Sequence, residues 1–166
     1  MLRYIAICMG LIGVMGGGCY AQPAHIKTSI KGSGFPIPRF VMTKAGKVNL
    51  RAGPGNQYPT RAVYNRKCVP LMVIAEFDFW RKVKDIDGQE GWIHKTLLAN
   101  TNVVWVSAKM ASLVSDPNCP DSVILNAEKG VEGEFMKDVK GKYAKVRINN
   151  QKGWMLIDHV WGVIPE

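Results

Sequence analysis

The apolar and polar positions of this chain follow the pattern of short β-strands. Apolar residues alternate with polar ones or form brief β-branched runs, as in residues 69–75 and 103–106. Turn-forming pairs such as Asp87-Gly88 separate these runs about every ten residues, which is typical of all-β domains. No segment after residue 40 has the helical period of about 3.6 residues. The pattern therefore predicts an all-β fold.

The predicted strands form two successive sets with the same order of side chains. The sets are residues 40–43, 47–50, 62–64, 69–77, 80–85 and 91–94, and then residues 102–109, 111–114, 123–125, 131–137, 143–148 and 153–157. Four positions recur about 63 residues later: Leu50 as Leu113, Pro54 as Pro117, Trp80 as Tyr143, and Trp92 as Trp154. We therefore predict two tandem domains, at residues 41–100 and 101–166. Each has about 60 residues, which is few for an independent core.

The N-terminal residues 1–21 have the pattern of a secretory signal peptide. Arg3 precedes an apolar run that ends at Met15, and small residues lie before Gln22. The run is too short for a membrane span, so we expect no integral span in the mature form and a periplasmic or secreted location. A lipoprotein anchored at Cys19 is the alternative. Residues 22–40 contain several prolines and glycines and are predicted to be an extended linker.

The cysteines suggest a cross-link between the domains. Cleavage of the signal peptide would remove Cys8 and Cys19 and leave Cys68 and Cys119, one in each domain. An even number of cysteines in an oxidising compartment favours a disulfide. We therefore predict a Cys68–Cys119 bond, with two separate thiols as the alternative.

The charge of the chain restricts its partners. The formal net charge is +9, and the basic residues are spread along the chain rather than clustered. Outside the cytoplasm such a chain would meet cell-wall polymers, anionic lipid headgroups or acidic proteins. Nucleic acid is not an expected partner, since the sequence has neither an arginine-rich arm nor a basic stripe with stacking residues.

No catalytic or cofactor motif is found in the sequence. It lacks Gly-x-Ser-x-Gly, a glycine-rich phosphate loop and His-Glu-x-x-His. Its three histidines have no metal-ligand spacing and it has no Cys-x-x-Cys pair, so we predict no metal site and no cofactor. We expect the protein not to be an enzyme.

Three motifs resemble the bacterial SH3-like domain family, including the tandem SH3-like proteins exported by alphaproteobacteria. They are NLRAGP at residues 49–54, WRKV at residues 80–83 and GWIHK at residues 91–95. The first repeat resembles the family over residues 41–99, whereas the second lacks the asparagine, the arginine and the first glycine of the motif. The resemblance implies two small, partly open barrels. It also implies a shallow groove between two loops and no enzymatic activity.

The predicted ligand groove of the first domain consists of Arg51, Tyr58, Tyr64 and Trp80. Trp80 would stack on a peptide or sugar ring, and Arg51 would hold a carboxylate. The alternatives are that Trp80 packs against Pro54 and that Arg51 braces its own turn. The predicted function is an envelope binding module that recognises peptidoglycan stem peptide or an envelope protein. The alternative is a structural or regulatory subunit that clamps an envelope enzyme.

We expect the exported protein to begin at Gln22, because the small side chains of Cys19 and Ala21 suit the specificity positions of a cleavage site. Intact mass of the exported protein measures this directly. Acyl groups found on Cys19 would show a lipoprotein instead.

Overall fold

The computed structural model describes residues 32–164, and its elements are almost all β-strands. The predicted signal peptide at 1–21 and the linker residues 22–31 lie outside the described residues. The described part of the predicted linker leads directly into the first strand, which begins at Arg39. The all-β prediction is confirmed.

Seven strands form the first sheet. They are β1 (Arg39–Thr43), β2 (Val48–Arg51), β3 (Thr60–Tyr64), β4 (Pro70–Phe77), β5 (Trp80–Lys84), β6 (Glu90–His94) and β7 (Leu98–Asn100). Their order in the sheet is β3-β2-β6-β5-β4-β1-β7. A 3₁₀ helix, Lys95–Leu97, connects β6 to β7.

Seven further strands form the second sheet in the same order. They are β8 (Val103–Val106), β9 (Met110–Asp116), β10 (Cys119–Glu128), β11 (Glu132–Lys140), β12 (Tyr143–Ile148), β13 (Gln151–Leu156) and β14 (Val160–Trp161). The sheet order is β10-β9-β13-β12-β11-β8-β14, and a 3₁₀ helix, Ile157–His159, precedes β14. The repeat in the sequence is thus a repeat of structure, and the described part of the chain consists of two tandem β domains with the same order of strands.

The sheets are open, whereas the sequence predicted barrels. In the part of the chain that the structure describes, no pairing joins the end strands β3 and β7, or β10 and β14. Each sheet curls because its β2 or β9 hairpin is attached to the neighbouring strand through one residue pair, Arg51 with Trp92 or Val114 with Trp154. A single pair turns the hairpin across the sheet without closing a cylinder.

Alternating side chains separate a small core from an outer face. In β5 and β6, Val83 and Ile93 are fully buried, while Trp80 and Lys82 lie on the other face. The core of the first domain contains Val41, Val48, Leu50, Val69, Leu71, Val73, Val83 and Ile93. A second core of the same kind lies in residues 104–163.

The two domains are in direct contact. The indole Nε1 of Trp161 donates to the carbonyl of Pro70 at 2.9 Å, and its ring meets Phe40 edge-on at 5.1 Å between centroids. Trp105 of the second domain packs against the core of the first, with the Arg66 guanidinium 4.8 Å above its ring. These contacts give each small domain apolar burial that it would lack alone.

The structure does not contain the predicted disulfide: Cys68 and Cys119 are free thiols. Trp105 of β8, Trp161 of β14 and Glu132 of β11 contact the first domain, while Cys119 begins β10 at the opposite end of the strand order. It is the other end of β10 that approaches the first domain, where Lys129 pairs with Asp87 at 3.1 Å. Since β10 has 10 residues, and extended chain rises about 3.3 Å per residue, Cys119 is far from that contact.

We expect Gly91→Ala to destabilise the first domain by about 1–3 kcal/mol, the usual cost of overpacking. A Cβ at Gly91 would lie 2.8 Å from the carbonyl oxygen of Arg51 and closer still to Leu50, where β2 crosses β6. Urea unfolding followed by tryptophan fluorescence measures the change. Gly46→Ala is the matched control, because nothing lies within 4 Å of its Cβ. Equal midpoints for the two variants would contradict this account of the crossing.

Candidate functional site

Aromatic side chains gather at the end of the β4–β5 hairpin on the outer face of the first sheet. Phe77, Trp80 and His94 are successive cross-strand partners on β4, β5 and β6, so they form one row. The rings of Trp80 and His94 meet edge-on, with centroids 5.3 Å apart. The ring of Phe79, in the turn, lies 6.1 Å from that of His94, measured between centroids. Lys95 Nζ lies 4.6 Å from the centroid of the Phe79 ring. We call these five residues the hairpin cluster.

The hairpin cluster is exposed to solvent. Phe77 is 43% exposed and Phe79 is 49% exposed. Neither ring is needed for the core, because the buried apolar residues of this domain lie on the opposite face of the sheet. Large exposed aromatic groups in one place, bordered by a lysine, are typical of a surface that binds a partner.

The second domain has the same hairpin without the aromatic cluster. Its strands place Lys140, Tyr143 and Leu156 in the row that Phe77, Trp80 and His94 occupy in the first domain. Phe79 and Lys95 correspond to Lys142 and Ile157, because the same backbone hydrogen bond joins each pair. The fold therefore does not require Phe77, Phe79 or His94, while the position of Trp80 keeps an aromatic ring in Tyr143.

The structure brings two of the predicted groove residues together in the loop after β2. Arg51 donates from Nη1 to the carbonyl oxygens of Asn56 and Tyr58, at 3.1 and 2.9 Å. The Tyr58 ring covers Gly53, where an added Cβ would lie 2.6 Å from the ring. Arg51 therefore braces its own turn, as in the alternative given by the sequence, and Tyr58 is 41% exposed beside it.

Trp80 and Arg51 lie on the same outer face but in different rows. Arg51 is the cross-strand partner of Trp92, which in turn pairs with Lys82. The row of Trp80 and His94 is two residues further along β6, which is roughly 7 Å. The half-buried Trp92 therefore lies between the loop and the hairpin cluster.

Tyr64 does not belong to this surface. Its ring packs against the core of the first domain, and its hydroxyl donates to Asp85 Oδ2 at 2.9 Å. Burial, followed by the negative charge of Asp85, raises the pKa of the Tyr64 hydroxyl above its ordinary value. Tyr64 is a structural residue in this arrangement.

The sequence reading missed Phe77, Phe79 and His94. The signal was present, since the run Phe77-Asp78-Phe79-Trp80 places three aromatic residues around a hairpin turn. His94 follows Gly91-Trp92-Ile93 in the sequence, where no motif gives it a role. Its position beside Trp80 depends on the register of β5 and β6, which the sequence does not display.

A buried charged cluster closes the end of the first sheet below the hairpin. Glu76 and Arg81 are 6% and 7% exposed, and Arg81 Nε lies 3.0 Å from Glu76 Oε1. Arg39 Nη2 approaches the same oxygen at 2.6 Å, and the Ser33 hydroxyl donates to it at 2.8 Å. A β-bulge between Val73 and Ala75 turns Glu76 to the inner side of the sheet.

The contacts of Glu76 keep it ionised. Burial by itself raises the pKa of the Glu76 carboxyl, but hydrogen bonds from Ser33 and the guanidinium of Arg39 outweigh burial and hold the pKa below its ordinary value. The carboxylate therefore ties the lead-in residue Ser33 to β1, β4 and β5.

A cavity of about 280 Å³ opens beside this charged cluster. Three cations border it: Arg39, Arg81 and Lys95. The remaining lining is Ser33, Phe35, Val41, Leu98, Ala99 and Asn100. Because Lys95 also covers Phe79, the cavity and the hairpin cluster share one side chain.

A larger groove, about 580 Å³, lies elsewhere, between the two domains. Its polar residues already have roles in the fold. Glu134 pairs with Arg147, and Asn149 and Asn150 form the β12–β13 turn with positive φ. We therefore regard the hairpin cluster, and not this groove, as the candidate functional site.

Within residues 32–164, no group of histidine, cysteine or acidic side chains has an arrangement that would hold a metal ion. Over the same residues, no helix has the length and hydropathy of a membrane span.

Comparison with known proteins identifies the first domain. Residues 44–100 match the bacterial SH3 domain family. A search of the curated proteins found no match. Among solved structures, NlpC2 from Trichomonas vaginalis is similar with a TM-score of 0.36 at 12% identity, over 76% of this chain and 49% of that one. NlpC1 from the same organism has a TM-score of 0.35 at 12% identity, over 78% and 47%. The chain thus spans about half the length of each.

We expect Glu76→Gln to lower the unfolding free energy at pH 7 by about 3 kcal/mol, because it leaves Arg39 and Arg81 without their buried counter-charge. The folded-state pKa is depressed, so the contribution of the carboxylate is present above its ordinary pKa and is lost as the pH falls through the folded value. Wild type and variant should therefore converge in stability at acid pH in urea titrations.

Glu90→Gln is the control for this experiment. Its partner Lys82 is 36% exposed and Glu90 is 38% exposed, so the change should cost less than about 1 kcal/mol. A Glu76 variant that is no less stable than the Glu90 variant would show that the buried cluster does not hold the domain together.

Proposed function

We propose that this chain, whose first domain is a bacterial SH3 domain, is a non-enzymatic binding module of the cell envelope. The first domain binds peptidoglycan stem peptide or an envelope protein through the hairpin cluster. The second domain is structural. The protein acts outside the cytoplasm after removal of residues 1–21.

One observation carries the proposal: the two domains share a fold but differ at the end of one hairpin. Phe77, Phe79 and Trp80 of the first domain correspond to Lys140, Lys142 and Tyr143 of the second. Exposed phenylalanine contributes nothing to the core and favours association with other molecules. A function in binding explains why one domain has these residues and the other does not.

The chemistry of the hairpin cluster suits a peptide or a sugar ring. The flat rings of Phe79 and Trp80 offer apolar contact with few rotatable bonds to immobilise. Lys95 borders the rings and can bind acidic or carbonyl groups of the ligand. The surface is shallow, so recognition depends on stacking and on charge at its border.

The second domain supports the first through the contacts of Trp105 and Trp161. Trp105 covers the core of the first domain, and Trp161 is bonded to Pro70 at the start of β4. The strand that carries Phe77 is therefore anchored at its far end by the second domain. A subunit that clamps an envelope enzyme, the alternative function, would use the same rigid pair of domains.

We expect Trp80→Ala to weaken retention on purified peptidoglycan sacculi by about 1–3 kcal/mol, the usual effect of losing an aromatic anchor. Tyr143→Ala, at the corresponding position of the second domain, should leave retention nearly unchanged. Co-sedimentation of the exported protein over a range of sacculus concentrations measures both, and circular dichroism checks that each variant is folded.

Three results would contradict the proposal. In the first, a folded Trp80→Ala protein binds sacculi as wild type does. In the second, Trp80 and Tyr143 variants lose binding equally. In the third, all retention disappears at modest salt, which would show charge alone, since exposed charges are screened over about 8 Å at physiological ionic strength. If sacculi do not retain the protein and an envelope enzyme co-purifies with it, the clamping function replaces the binding function.

A further inference from the structure

The end of the first sheet holds more positive than negative charge in a place that is largely removed from water. Glu76 is the one carboxylate bonded to the two guanidinium groups of Arg39 and Arg81 in the described part of the chain. Arg81 is 7% exposed and Arg39 is 17% exposed. Arg81 Nη1 also donates to the carbonyl oxygens of Asp78 and Trp80, at 2.9 and 3.1 Å, and Arg39 donates to the Pro36 carbonyl and the Ser33 hydroxyl. These neutral acceptors satisfy hydrogen bonds but add no negative charge, so the excess positive charge favours a bound anion.

The fold does not require charge at these positions. The cross-strand pair Glu76 and Arg81 corresponds to Val139 and Ala144 in the second domain. Lys95 corresponds to Ile157. The second domain closes the same end of its sheet with apolar side chains, and its core is of similar extent. Stability of the fold therefore does not explain the buried charges of the first domain, and a role in ligand binding would explain them.

The cavity beside the cluster has the size and lining of a small ligand site. Its volume is about 280 Å³. Arg39, Arg81 and Lys95 lie on its border, and Lys95 has no ion pair within residues 32–164. The apolar side chains of Val41 and Leu98 lie opposite, and they suit a small apolar group next to the anion.

We infer that this cavity binds the carboxylate of a peptide ligand, next to a small apolar side chain, through Arg81, Arg39 and Lys95. Guanidinium groups can hold carboxylates in a planar fork, and each of these two already contacts Glu76 Oε1 through one nitrogen. The inference rests on the proposed function, because it names the chemical group that enters beside the hairpin cluster. Lys95 lies at the border of both, so a ligand bound to the rings can extend its carboxylate into the cavity.

The test is a titration with N-acetyl-alanyl-alanine, observed by NMR of the exported protein labelled with ¹⁵N. The expected result is a saturable shift of the Arg81 Nε–H signal and of the backbone amides of residues 98–100, with the second domain unchanged. The C-terminal amide of the same peptide should bind about tenfold more weakly or not at all. Titration with N-acetyl-glutamate amide tests whether the cavity binds a side-chain carboxylate as well as a C-terminal one. Titration with inorganic phosphate tests whether the cavity binds any anion.

The variant for this test is the double substitution Glu76→Val with Arg81→Ala. It reproduces the pair that the second domain holds at the same place, and replacing a buried ion pair with apolar residues is often neutral for stability. Arg39 loses Glu76 but keeps its contacts with the Pro36 carbonyl and the Ser33 hydroxyl and is 17% exposed, so the sheet should remain folded, which circular dichroism checks. The double variant should bind the peptide carboxylate about tenfold more weakly. Lys95→Gln, at an exposed position, is the second variant and should weaken binding without affecting the fold.

The outcomes separate this inference from the proposed function. Equal binding of the carboxylate and the amide, equal binding of phosphate, or full binding by both folded variants would overturn the carboxylate site. If sacculus retention still depends on Trp80 in that case, the proposed function stands without this site. If the peptide carboxylate binds but sacculi are not retained, the site stands and the envelope ligand is wrong.

Discussion

The crossing of β2 over β6 is the constraint on which each domain depends. The strands meet at one residue pair, Arg51 with Trp92, and the absence of a side chain on Gly91 lets Leu50 lie directly against it. Gly153 has the same role beneath Leu113 in the second domain. This contact curls the sheet around its core. As a result, the side chains that point outward, among them Trp80 and His94, form rows on a convex surface.

What the fold requires and what it tolerates can be distinguished within this one chain. The glycine at the crossing, the buried leucine and the 3₁₀ helix before the last strand occur in both domains. The two phenylalanine rings at the hairpin and the charges below it occur only in the first, whereas Trp80 corresponds to Tyr143. Because both domains have the same order of strands, the differences cannot be ascribed to the fold. In our interpretation, Phe79 and Arg81 therefore serve ligand binding, whereas Gly91 is required for folding.

Local patterns predicted the strands and the repeat, because alternation and turn residues are properties of neighbouring positions. The sequence predicted less well which side chains on neighbouring strands share a face, because this depends on strand register. Tyr64 was assigned to a groove, yet its cross-strand partner is the fully buried Val48, so both point to the core. Glu76 points inward only because a bulge shifts the register of β4. An even number of cysteines, likewise, contained no information about the distance between Cys68 and Cys119.

The net charge and the hairpin cluster describe two different contributions to binding. The second domain places Lys140 and Lys145 around Trp154, with each Nζ about 5 Å from the ring, and these lysines attract any acidic polymer. Such attraction between exposed charges is screened by salt. Salt does not screen stacking on Phe79 and Trp80, because the free energy of apolar contact does not come from the attraction between charges. In the proposed function, overall charge would therefore bring this basic chain to an acidic surface, and the first domain would supply the selectivity.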